Sequence, residues 1–103
     1  MAGRDGWLTN GTYTVDPRAM AKHMPITALA GKSRFLSTVD ADKAVLDAAS
    51  FADANNLWQD GKAKVYVTNH PVGVLGRTGE LTSWINVYKT RTGFVHGSPG
   101  SAP

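Results

Sequence analysis

Apolar and polar residues change rhythm along this 103-residue chain, and the changes divide it into elements. From Thr38 onward Ala41, Ala44, Val45, Ala48, Phe51 and Ala52 recur at three- and four-residue intervals, with the aspartates mostly on other faces. This stripe of helical period predicts a helix over 40–57, and Asp40 and Asp42 suit the positive end of its dipole. Ahead of it, Asp16-Pro17 places an N-cap acceptor before a proline at the first helical position, and Pro25 stops the helix at or before Met24. A short helix over 17–24 follows. Residues 25–37 lack periodicity and read as a loop. After Asn55-Asn56 and Asp60-Gly61 the period becomes two, so 64–68 (Lys-Val-Tyr-Val-Thr) is predicted as a strand, and 71–79 as a long loop or irregular edge. Trp84, Asn86 and Tyr88 then alternate with Ser83, Ile85 and Val87, and Thr90-Arg91-Thr92-Gly93 turns into Phe94-Val95-His96, a hairpin. Residues 12–15 add at most one short strand. The ends, about 1–11 and 97–103, read as frayed.

Helices followed by antiparallel strands predict an α+β fold, with the N-terminal helices packed on a small antiparallel β-sheet. The length suits one domain over 1–103.

Composition narrows the chemistry. No apolar run approaches the ~20 residues that span a bilayer, and the first residues show neither a secretory h-region nor a transit pattern. The absence of cysteine removes disulfides, thiolate nucleophiles and cysteine zinc sites. Three scattered histidines and eight acids remain as metal ligands, so neither metal nor cofactor is expected. Eleven Lys and Arg against eight Asp and Glu give a net charge of +3, which favours an anionic partner. The charges are unevenly spread. Asp40, Asp42, Asp47, Asp53 and Asp60 crowd one stretch, so an acidic helix and a basic remainder are expected.

Three clusters carry candidate chemistry: Lys22-His23, Gly31-Lys32-Ser33-Arg34, and the hairpin that ends in Gly93-Phe94-Val95-His96-Gly97-Ser98-Pro99. RNA supplies its own nucleophile, the 2′-hydroxyl, so a protein need add only a base, an acid for the leaving 5′-oxygen and cations around the phosphorane. Histidine suits both proton roles. Lys22 beside His23 favours a neutral imidazole, which makes His23 the expected base. Gly31 permits a tight turn, while Lys32, Ser33 and Arg34 can hold a phosphate, although the spacing is not that of a Walker loop. On the hairpin, Asn86, Tyr88, Phe94 and His96 fall on one face and Ile85, Val87 and Val95 on the core face. Trp84 either stacks on a base or closes the core edge. Trp7 and Trp58 read as structural, and His70, before Pro71, is the least favoured histidine. The expected catalytic set is His23, Lys32, Ser33, Tyr88 and His96, with Lys22, Arg34, Trp84, Asn86 and Lys89 binding substrate.

The order Lys-His, then Gly-Lys-Ser, then an Ala-rich helix and a closing Asn-Val-Tyr…Gly-Phe-Val-His-Gly-Ser-Pro hairpin resembles the C-terminal ribonuclease domains of bacterial polymorphic toxins, over about residues 13–99. These include contact-dependent growth inhibition toxins with the fold shared by barnase, bacterial EndoU and colicin-type tRNases. The resemblance implies a metal-independent endoribonuclease, often acting on tRNA. It implies secretion as the last part of a larger effector, action in the target-cell cytoplasm, and a dedicated immunity protein, expected to be acidic. Carried over by position, it implies site roles for Lys22, His23, Lys32, Ser33, Tyr88 and His96. The paired histidines near glycine-rich segments of EndoU proper are not reproduced here. Two other classes stay open: a non-catalytic nucleic-acid or protein binding module using the same cations and aromatics, and an ADP-ribosyl transferase toxin. A zinc deaminase is disfavoured by the missing cysteines and His-x-Glu.

Overall fold

The computed structural model describes residues 6–24 and 31–103. The chain runs β1 (Thr14–Val15), α1 (Pro17–Met20), a 3-10 turn (Ala21–His23), β2 (Arg34–Phe35), α2 (Ala41–Ala54), β3 (Lys62–Tyr66), β4 (Gly73–Val74), β5 (Leu81–Thr82), β6 (Trp84–Lys89) and β7 (Phe94–Gly100). It is an α+β fold, as the pattern predicts, but the strands form two sheets. The larger has the order β1-β7-β6-β3 and the smaller β2-β4-β5. All pairings are antiparallel except β1 with β7, which is parallel.

Helix α2 starts where Asp40 Oδ1 accepts the Lys43 N–H at 3.2 Å. It ends at Asn55-Asn56, where Asn56 takes φ 55°. Ala41, Val45, Leu46, Ala48, Ala49 and Ala52 are buried, and α2 packs on one face of the larger sheet against Ala63, Val65, Ile85, Val87 and Val95. Phe51, counted in the sequence stripe, is 49% exposed. Leu46 and Ala49 take its place, so the buried face is turned from the one the spacing suggests. At Gly97 the helix comes so close that a Cβ would lie 2.8 Å from Val45 Cγ2 and 2.9 Å from the Asn86 carbonyl oxygen.

Several expectations need correction. The first helix is tighter than the predicted helix over 17–24: α1 is a single turn, continued by the 3-10 turn, whose N-cap, Asp16, accepts from the N–H groups of Arg18 and Ala19, and it packs on β7 while α2 packs across the sheet face. The presumed tail is a strand as far as Gly100. β7 pairs residue by residue with β6 through Trp84↔Gly100, Ser98 is 7% exposed and Pro99 is fully buried. Gly and Pro weaken a strand signal because they contribute no ladder side chain or no donor, yet this stretch lies beside a neighbour that pairs with it. The described part of the N-terminal segment is likewise tied down: Leu8 accepts the Val15 N–H at 2.9 Å, and Thr9 bridges Thr14. The predicted loop over 25–37 is described only from Gly31, and within it Arg34–Phe35 is strand β2. The loop read over 71–79 contains β4, and β5 follows it.

Candidate active site

Strand β1 pairs with β7 only at Phe94 and Val95, so the next donor on that edge, the Gly97 N–H, has no strand partner. Met20 takes it. Its Sδ accepts the Gly97 N–H at 3.3 Å, and its side chain is 1% exposed. This contact anchors α1 on β7 and brings the following 3-10 turn against β7, near His96. The turn stops at Met24, which is extended at φ −82°, ψ 151°, the region a residue before proline prefers. His23 is fixed from its other side: Nδ1 lies 2.7 Å from the Ser33 carbonyl oxygen. A carbonyl only accepts, so Nδ1 carries the proton and Nε2 is the nitrogen that can exchange one. Ser33 is itself held, since its Oγ accepts the Gly76 N–H at 3.1 Å. Gly76 presses so closely on the Gly31 and Lys32 backbone that a Cβ there would collide with it.

His96 stands opposite Tyr88 on the sheet face away from α2, and the two rings stack with centroids 4.9 Å apart at 15°. Lys62, paired with Tyr88 from the other side, holds its Nζ 5.6 Å from the Tyr88 ring centroid. The pKa of His96 is lowered, first by burial and then by the charge of His23, with a smaller effect of Lys22. The Asp16 carboxylate opposes the shift. His23, Lys22, Asp16 and His96 therefore lie within electrostatic reach of one another.

Of the residues singled out from sequence, His23, Lys22, Ser33, Tyr88 and His96 are brought together. Lys32 and Arg34 flank Ser33 and are exposed, and among the described residues neither is paired. The Ser33 hydroxyl is occupied with the loop at Gly76, and its carbonyl, rather than its hydroxyl, touches His23. Trp84 and Asn86 share the outer face with Tyr88 by strand alternation. Asn86 Oδ1 accepts from Lys64 Nζ at 2.9 Å. Lys89 does not belong with them. One residue beyond Tyr88, it is on the opposite face, with its Nζ 4.5 Å over the Trp58 ring. Trp58 in turn donates to Asp53, which also accepts from Tyr13. His70 is likewise apart from the pair. It lines an apolar cavity of about 800 Å³ between α2 and residues 65–72.

Sequence reasoning missed Lys62, Lys64 and Tyr66. The alternation predicts a strand from Lys64, whereas β3 begins at Lys62 and its polar positions 62, 64 and 66 face the same way as the hairpin's. The alternation Lys62-Ala63-Lys64-Val65-Tyr66 carries that signal once the strand is paired with β6. Across the outer positions of β3, β6 and β7 there are lysines, aromatics, Asn86, His96 and Ser98, and no carboxylate. The centre thus lies on an open cationic face, which suits a polymer more than a small molecule enclosed in a cleft. No known protein family and no curated protein sequence matches the chain. No helix among the described residues is long and apolar enough to cross a membrane.

Proposed function

We propose that this domain is an endoribonuclease that cuts RNA without a metal ion, with tRNA as its substrate by the resemblance of its motifs to polymorphic-toxin ribonucleases. The observation that carries the reading is the histidine pair: His23, with Nδ1 tied to the Ser33 carbonyl, and His96, stacked on Tyr88 with Lys22 and the Asp16 carboxylate within electrostatic reach, on a sheet face whose strand positions bear lysines and no carboxylate. The lowered pKa of His96 keeps it unprotonated near neutrality, which suits the base. This reverses the role expected for His23 from its lysine neighbour. His96 takes the 2′-hydroxyl proton, and the 2′-oxygen attacks phosphorus. The P–O5′ bond breaks, and the 5′-oxygen leaves as an alcohol with a proton from His23. The products are a 2′,3′-cyclic phosphate and a 5′-hydroxyl end. Lys22 and Lys62 offset charge on the phosphorane oxygens, and Tyr88 positions His96.

The same resemblance supports delivery as the last part of a larger secreted effector, action in a target-cell cytoplasm, and an acidic immunity protein. The test is incubation of the purified domain with total RNA in excess chelator, followed by end-group analysis. Cyclic phosphate ends are expected, and His96→Ala or His23→Ala should each reduce cleavage by about 10²-fold or more. Loss of activity in chelator with recovery on adding a divalent ion would overturn the metal-free mechanism. RNA binding without cleavage would instead favour the binding-module reading, which the same cationic face supports.

A further inference from the structure

The outer face of the larger sheet continues past the histidine pair. Along β6 the side chains on that face are Tyr88, Asn86 and Trp84, and β3 sets Lys62, Lys64 and Tyr66 directly across from them. At the far end Tyr66 and Trp84 form a T-shaped pair, with centroids 5.3 Å apart at 60°. Tyr66 is 51% exposed, although it is large and apolar in most of its surface. Between the two aromatic pairs lies Lys64, whose Nζ donates to Asn86 Oδ1 and to the Ser101 carbonyl oxygen, both at 2.9 Å. An ammonium has three donors, so one remains for a phosphate oxygen, and the two internal bonds hold it over the strand. Trp84 and Tyr88 are four residue steps apart along β6, about 13 Å at the rise of a β-strand. A base at Trp84 is therefore not one of the two that flank a phosphate held at His96.

We propose that Tyr66 and Trp84, with Lys64 beside them, form a base-stacking subsite for single-stranded RNA, displaced along the sheet from the His23–His96 centre. The inference rests on the reading of that centre as RNA-cleaving. The half-exposed Tyr66 ring and the partly exposed Trp84 ring accept any base because every base has a π-face, and Lys62 and Lys64 follow the backbone along β3, the combination that single-strand binders use. A paired strand cannot use the subsite, because its bases are already stacked and turned inward. The subsite gives the enzyme a preference for unpaired stretches and for substrates longer than a dinucleotide.

The bland alternative is that the two rings only brace the sheet edge as a cross-strand pair, and the experiment separates the two. Cleavage of a dinucleotide and of an unstructured hexanucleotide is compared for wild type, Tyr66→Leu, Tyr66→Phe and Trp84→Leu. Binding of a 2′-O-methyl hexanucleotide, which cannot be cut, is measured by anisotropy. Tyr66→Leu and Trp84→Leu should weaken hexanucleotide binding about tenfold, within the range for loss of one base–aromatic stack. Tyr66→Leu should raise its KM while leaving dinucleotide kinetics unchanged, and Tyr66→Phe should keep hexanucleotide binding and KM at their wild-type values. Tyr66 is half-exposed, so its leucine variant should fold even where Trp84→Leu does not. Equal losses on both substrates, or unchanged hexanucleotide binding in folded Tyr66→Leu, would overturn the subsite while leaving cleavage intact. Weakened binding by these variants in a protein that cuts no RNA would uphold the subsite and remove the catalytic reading instead.

Discussion

Burial lowers the His96 pKa most, and three charged neighbours adjust it further, each of which can be removed separately. His23→Ala should raise the His96 pKa most, Lys22→Met should raise it less, and Asp16→Asn should lower it, as read from imidazole resonances across pH. An unordered set of shifts would show that the two histidines are not coupled. The shift also has a consequence for stability. His96 has a folded pKa below its unfolded value near 6.5, so below that value the unfolded chain binds the proton more readily. Stability should fall as pH drops through the window just under 6.5 and level off below the folded pKa. In His96→Phe this part of the pH dependence should vanish, as followed by denaturant midpoints at pH 7.5 and 5. The two histidines and Tyr88 were legible in sequence because their chemistry is rare and the hairpin's alternation sets Tyr88 and His96 on one face. Lys62 and Lys64 were not, because a lysine at a strand start looks like any solvated charge until the register places it across from Tyr88. Nor was the Ser33 carbonyl legible, since a backbone acceptor leaves no mark in residue type.

At the scale of elements, the second histidine depends on loops that hold one another. Gly76 allows the 75–79 turn to press on Gly31 and Lys32 while its N–H binds Ser33, and Ser33 holds His23. A methyl group at Gly76 meets backbone, which cannot swing aside, so Gly76→Ala should cost about 1–3 kcal/mol of stability, as overpacking does. It should also lower cleavage more than Ser33→Ala, which keeps the carbonyl that His23 uses. A Gly76→Ala protein with wild-type activity and melting temperature would show that this contact does not position the site. Strand β7 is the other element on which the centre rests. Helix α2 was readable because a stripe of alanines with Val45 along 14 residues has one solution, a buried face. The end of β7 was not, because Gly97, Pro99 and Gly100 carry turn propensity, and only tertiary pairing with β6 overrides it. Truncation after His96 therefore discriminates between tail and strand. It removes the buried Ser98 and Pro99 and the acceptor for Thr82 Oγ1 at Gly100, and it should abolish cooperative unfolding. A frayed tail would be removed without effect.

Across the whole molecule, charge is sorted by the sheet. Asp40, Asp42, Asp47 and Asp53 belong to α2 and its cap on one side, while Lys62 and Lys64 face outward on the other, with Lys22 on the turn beside His96. Lys43 sits among the acids and is paired with Asp47 at 2.8 Å. A net charge of +3 is too small to steer association by itself, but this separation directs the positive field at the candidate site. An RNA, or a partner whose carboxylates stand in for phosphates, should approach that face first and lose affinity as salt rises. Lys89 was expected to share in this contact, yet it lies over Trp58 on the other face. Lys62→Glu should therefore slow association with either anionic partner and flatten its salt dependence, while Lys89→Glu and Lys43→Glu should leave the association rate near wild type. Stopped-flow measurements at two salt concentrations read the difference. Equal slowing by all three reversals would mean that net charge alone attracts the partner, and slowing by Lys43→Glu alone would place the contact on the acidic helix and away from the histidines.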